Sequence, residues 1–160
     1  MLAPAVRRST AALSTCTLAL ALTGCLGTVP VDPDGTLDAA RGGTLRIGVS
    51  LDPGLAEAGR DGPTGPLVDL AEGYAESIDA RIDWVPAGEE TLVGMLEEGE
   101  VDLAVGGFSA DTPWADRVGA TRGYADLPGL DGRTVVWLVP AGENALLSDI
   151  ELYLDGEAGS

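Results

Sequence analysis

Following Gly99, the run Val101-Asp102-Leu103-Ala104-Val105 is apolar on both alternations, with Asp102 the one interruption. A strand with one face in water alternates apolar and polar residues. A strand this uniform is covered on both faces, the situation of a parallel strand between two helical layers. That requirement restricts the chain to layered α/β architectures, and the surrounding segments comply. Thr44-Leu45-Arg46-Ile47-Gly48-Val49-Ser50, bounded by Gly42-Gly43 and Asp52-Pro53, predicts a first strand. Pro66 suits the first turn of a helix. Leu67, Leu70, Ala71, Tyr74, Ala75 and Ile78 then recur at spacings of three and four, which predicts an amphipathic helix to about Asp79. Arg81 to Pro86 alternates as a second strand, and Glu89 to Glu98 is a helix stopped by Gly99. Pro113 to Arg117 reads as a helical turn, Arg133 to Val139 as a fourth strand, and Asn144 to Leu154 as a last helix. Leu55 to Gly65 reads as loop. Alternation at this spacing predicts an α/β fold, a three-layer αβα arrangement with a mostly parallel sheet.

The N-terminus follows different rules. Met1 to Thr10 carries Arg7 and Arg8, and Ala11 to Ala21 is apolar but shorter than the roughly 20 residues a membrane-spanning helix needs. A basic start, a short apolar core and small residues before a cut site are the layout of a secretory signal peptide. Leu22-Thr23-Gly24-Cys25 resembles the lipobox of bacterial lipoproteins, in which the cysteine thiol receives a diacylglyceryl group and becomes the first mature residue. Val29-Pro30-Val31-Asp32-Pro33-Asp34-Gly35 has linker composition. The expected divisions are a lipoprotein signal peptide over 1–24, a flexible tether over 25–42, one lobe over 43–156 and a tail over 157–160. The expected location is the cell membrane, anchored by lipid at Cys25 and facing the extracellular or periplasmic side.

Charge and composition narrow the chemistry. The formal net charge is −17, with 26 acidic residues against 9 basic ones. Removal of a signal containing two arginines and no acid makes the remainder more acidic still. Such a surface repels phosphate backbones, so nucleic acid is not an expected partner. There is no histidine, and the two cysteines are Cys16, inside the signal core, and Cys25. Zinc and copper sites, Ser-His-Asp triads and Cys-His nucleophiles therefore have no ligands or bases to draw on. No Walker-type loop, G-x-S-x-G or G-x-G-x-x-G is present. No cofactor, metal or catalytic set is expected, and the chain does not read as an enzyme.

Several segments together resemble bacterial extracellular solute-binding proteins of the polar-amino-acid type (family 3). These are Leu45-Arg46-Ile47-Gly48-Val49, Gly65-Pro66-Leu67-Val68-Asp69-Leu70-Ala71, Gly99-Glu100-Val101-Asp102-Leu103-Ala104-Val105-Gly106, Asp111-Thr112-Pro113 with Arg117, and Arg122-Gly123-Tyr124. The resemblance covers roughly Thr44 to Tyr124 and extends to Val136 to Leu154. Such proteins are the substrate-binding components of ABC importers, and two α/β lobes close on a ligand. The resemblance implies a single lobe of the periplasmic-binding-protein-like (type II) fold. Only Ala125 to Gly132 stand where a second lobe of on the order of 80–100 residues would be inserted. It also implies a ligand edge near Ser50, Ser109, Trp114 and Arg117. Ser50 stands where the family has an Asp, and Trp114 where it has the arginine that clamps a carboxylate, with Arg117 one helical turn further.

Each of these residues has a plainer reading. Arg117 and Arg122 can pair with neighbouring acids, Trp84 and Trp137 read as core, and Asp102 as a turn or cap residue. The expected partners are an ABC permease or another membrane protein and a small polar solute. The alternative is a single-lobe interaction protein that contacts a permease, a sensor or another extracellular protein without capturing small molecules. The anchor is directly testable, because acyl chains supply membrane affinity that an acidic body does not. Cys25→Ala is expected to move the protein from the membrane fraction to the soluble fraction; full membrane retention would overturn the lipobox reading.

Overall fold

The computed structural model describes residues 32–159, so the signal segment, Cys25 and the first part of the tether lie outside the described residues. In chain order the elements are α1 (Thr36–Ala40), β1 (Thr44–Val49), β2 (Glu57–Ala58), β3 (Pro63–Thr64), α2 (Pro66–Ser77), β4 (Arg81–Pro86), α3 (Glu89–Glu97), β5 (Leu103–Val105), β6 (Gly119–Ala120), β7 (Leu138–Val139) and α4 (Asn144–Ala158). Five strands form one sheet in the order β4-β1-β5-β7-β6, and β2 and β3 form a separate hairpin. β1 runs parallel to both β4 and β5, with Ile47 beside Trp84 and Leu103. The expected α/β layering is present.

Alternation within the strands sorts the core into two halves. Leu45, Ile47 and Val49 of β1, with Leu103 and Val105 of β5, point into a cluster with α1, α2 and α4. Ala104 and Leu138 point the other way, against Leu92, Val93 and Leu96 of α3. Each of the leucine, isoleucine and valine side chains contributes about 1.5–3 kcal/mol when fully buried, an upper figure for an extended unfolded chain. The α3 side depends on Gly48. A Cβ at Gly48 would sit 2.6 Å from Leu92 Cδ2, so the Leu92 side chain packs directly over the β1 backbone in the space this glycine leaves.

The second half of the sheet departs from the mostly parallel expectation. β7 pairs antiparallel with β5 through Ala104 and Leu138, and β6 pairs antiparallel with β7. The predicted strand over Arg133 to Val139 shrinks to its last two residues because its first part has other partners. Tyr124 and Val135 exchange both backbone hydrogen bonds, the Val136 N–H donates to Phe108 O at 2.9 Å, and the Trp137 N–H donates to Thr121 Oγ1 at 3.0 Å. Between Tyr124 and Val135 the short connection folds down onto the core, burying Leu127 and Leu130.

Ordered structure also starts earlier than a tether ending at residue 42 would allow. α1 buries Leu37 and Ala40, and α4 continues to Ala158. The segment before α1 is held by carboxylates. Glu143 accepts from the Asp34 and Thr36 N–H groups at 3.0 and 3.2 Å, and Asp32 Oδ2 accepts from the Leu37 N–H at 2.9 Å. Asp32 Oδ1 is buried with no donor. Burial, together with the Glu143 carboxylate beside it, pushes the Asp32 carboxyl up to about 6. A carboxyl with a raised folded pKa takes up a proton on folding, so stability falls as pH rises from its ordinary value of 3.8 through about 6. Thermal unfolding of the wild type against Asp32→Asn is expected to show the wild type losing ground between pH 4 and about pH 6.5. A pH-independent difference would remove Asp32 as the titrating group.

Candidate functional site

With both faces of the sheet covered by helices, strands from different parts of the chain meet solvent together only at the sheet's ends. Open α/β sheets use the end at the carboxyl termini of their parallel strands. Here β1 leads into Ser50, whose N–H donates to Val105 O at 2.9 Å, and β5 leads into Gly106-Gly107. A Cβ at Gly106 would lie 2.8 Å from the Ser50 side chain, and one at Gly107 would fall inside the Asp52 carboxylate. The two strand ends are therefore packed backbone against side chain, with Asp52 lying over Gly107. Asp52 and Ala56 close a tight turn through paired backbone hydrogen bonds of 2.8 and 2.9 Å.

Because β7 is antiparallel, the residues preceding it arrive at this same end. Arg133 donates from Nη2 to Asp52 Oδ2 at 2.5 Å and from Nη1 to Pro53 O at 3.1 Å. Beside it, Leu51 (53% exposed), Trp84, Pro86 and the hairpin residues Ala58, Asp61 and Pro63 line a cavity of about 340 Å³. The lining is mostly apolar with one carboxylate, a composition suited to a small solute with an aliphatic stem.

The four residues singled out from the sequence are not brought together. Ser50, which is buried, and Ser109, which is exposed, both belong to this end. Trp114 packs sideways into the α3 half of the core, and its indole Nε1 is buried with no acceptor. Arg117 lies at the opposite end. Register places Ala120 beside Leu138 and Ala104, and Arg117 is three residues earlier on a segment running parallel to β1. It forms a two-pronged ion pair with Glu97, the last residue of α3, and its guanidinium carbon sits 5.5 Å from the Trp114 ring centre. That contact holds the Glu97 carboxyl below its ordinary pKa.

Asp102 has a structural part of the same kind. It is buried at the amino-terminal end of β5, receives the Arg46 N–H at 2.8 Å and pairs with the Arg46 guanidinium, which also donates to Gly99 O at 2.6 Å. Sequence reasoning missed Asp52 and Arg133. The first reads as a strand terminator before Pro53, and the second as the opening residue of a strand. Only the antiparallel direction of β7 reveals that they meet.

No family model matches this chain. It is similar to the membrane-bound lytic murein transglycosylase F of two Vibrio cholerae strains, with 34% identity over 94 residues. That segment is 58% of this chain, and the chain spans 17% of the length of those relatives. Among solved structures, the arginine-bound form of domain 1 from TmArgBP superposes with a TM-score of 0.64 at 23% identity, covering 74% of this chain and 97% of that one. An ancestral cationic amino acid solute binding protein gives a TM-score of 0.63 at 15% identity, over 76% of this chain and 93% of that one. An ancestral cyclohexadienyl dehydratase gives 0.61 at 14%, over 74% and 88%. The fold is a single lobe of the periplasmic-binding-protein-like type.

The position of Arg117 generates a test that separates the two ends of the sheet. Arg117→Ala is expected to lower the melting temperature slightly, through loss of the Glu97 and Trp114 contacts, and to leave solute binding unchanged. A solute affinity that falls with Arg117 removed would place the ligand at the α3 end instead.

Proposed function

We propose that the protein is a lipid-anchored extracellular solute-binding lobe, related to the substrate-binding component of an amino-acid ABC importer, that holds a small polar solute weakly. The observation that carries this reading is the end of the sheet at Ser50, Asp52 and Gly106-Gly107. There two parallel strands finish side by side next to a mostly apolar cavity with a carboxylate. The similarity of the fold to an isolated domain 1 described as arginine-bound supports capture by one lobe. The acidic surface supports a cationic solute over an anionic one.

Weakness follows from geometry. A ligand enclosed between two lobes buries most of its surface, whereas one resting on an open edge buries about half, and affinity falls from micromolar toward millimolar. The position where the family resemblance implies a carboxylate clamp holds Trp114, which packs against the α3 half of the core instead of facing this site; a guanidinium aimed into the site would have made a two-pronged, charge-assisted contact. On this reading the chain binds rather than catalyses, and its partners are an ABC permease or another membrane protein.

A second reading is a single-lobe interaction module without solute capture. It is favoured by the similarity of 94 residues to one part of a much longer protein, a membrane-bound lytic murein transglycosylase F. Calorimetric titration of the full-length protein in detergent with the twenty amino acids decides between them. Millimolar dissociation constants confined to basic amino acids are the expected result. No heat with any of them would favour the interaction module, and a micromolar constant would show that the open edge encloses its ligand far better than the geometry implies.

A further inference from the structure

The contact between Arg133 and Asp52 differs in place from every other ion pair among the described residues. Arg46 and Arg117 pair at the amino-terminal end of the parallel strands, and Arg41 and Arg122 pair with carboxylates of α4. Arg133 alone pairs at the carboxyl end, above the join of β1 and β5. Two acceptors receive it, the Asp52 carboxylate and the Pro53 carbonyl, each from a different terminal nitrogen. Both acceptors belong to the turn that follows β1, and Gly107 leaves the room in which the carboxylate lies. The donor comes from the far end of the short connection over 125–132.

We infer that the Asp52 carboxylate and the Pro53 carbonyl form a guanidinium-binding site, and that Arg133 fills it as an intramolecular competitor of a guanidinium-bearing solute. The inference rests on the solute-binding reading above and names its ligand class, arginine and related guanidino compounds. A planar fork with two parallel donors matches a carboxylate oxygen and a neighbouring carbonyl in a way that a single ammonium does not. The Arg133 side chain is 45% exposed and that of Asp52 24%, so the internal pair is partly open to solvent. Exposed pairs of this kind are held closed by a factor of only about two to five, which leaves the site exchangeable. Arg133 thus sets a threshold, and solute enters only by displacing it.

The test uses full-length protein in detergent, with methylguanidinium and L-arginine as separate probes, followed through the backbone amide signals of Asp52 and Gly107. In Arg133→Ala, methylguanidinium is expected to bind about two- to fivefold more tightly than in the wild type. Asp52→Asn added to Arg133→Ala is expected to abolish the gain. Gly107→Ala in the same background retains every charge but displaces the carboxylate, and is expected to abolish it too. Equal methylguanidinium affinity in wild type and Arg133→Ala, or a gain that survives Asp52→Asn, overturns the inference. L-arginine distinguishes the two levels of the argument. If it binds the wild type at this edge but no more tightly in Arg133→Ala, the competitor is wrong and the solute reading stands. If methylguanidinium behaves as expected while neither protein takes L-arginine or any other amino acid, the guanidinium site and its internal competitor stand, but arginine as its ligand and the solute reading both fail.

Discussion

Burial of β5 on both faces is the constraint from which the architecture follows. Leu103 and Val105 need apolar partners on one side and Ala104 on the other, so a helical layer has to lie on each. α3 achieves its side through the notch at Gly48, and α2 and α4 supply the other. With both faces occupied, the chain has only the two ends of its strands on which to bring distant residues together in water. One end is closed by ion pairs, Arg46 with Asp102 and Arg117 with Glu97. The other is built of glycines, serines and a turn, with one ion pair among the described residues, Arg133 with Asp52, lying over it.

The parallel half of the fold was legible in the sequence because it is made of local signals. β1, α2, β4, α3 and β5 each declare themselves by period and punctuation, and the structure places them within a residue or two of the expected limits. The antiparallel half was not. β6 and β7 are two residues each, too short to carry any period, and β7 is that short because Val135, Val136 and Trp137 find three different partners. The same difference governed the site. Ser50 and Ser109 follow legible strands and stand at the carboxyl end, whereas Arg117 and Trp114 belong to a segment whose direction the sequence does not reveal. Asp52 and Arg133 are 81 residues apart, and nothing local links them.

Charge shows how the lobe uses its few cations. Five of the seven arginines among the described residues hold a carboxylate in an ion pair. Their positive charge is largely cancelled by neighbours, and the surrounding field is set by the remaining acids. A field of that sign draws cations toward the surface and slows the approach of anions, an effect that weakens with added salt. The same acidity gives the lobe little attraction for an anionic bilayer.

The Tyr124–Val135 bridge has a consequence for how such a lobe can grow. Two backbone hydrogen bonds hold the strands leaving and re-entering the sheet side by side, whatever lies between them. The entropy of closing a loop rises only with the logarithm of its length, about 0.6 kcal/mol for each doubling. Once the bridge exists, a longer insertion asks of the sheet only that loop-closure term and a replacement for the apolar cover that Leu127 and Leu130 give the core. The lobe is built like a socket: the contacts that close it around ten residues would close around a hundred for about 2 kcal/mol more.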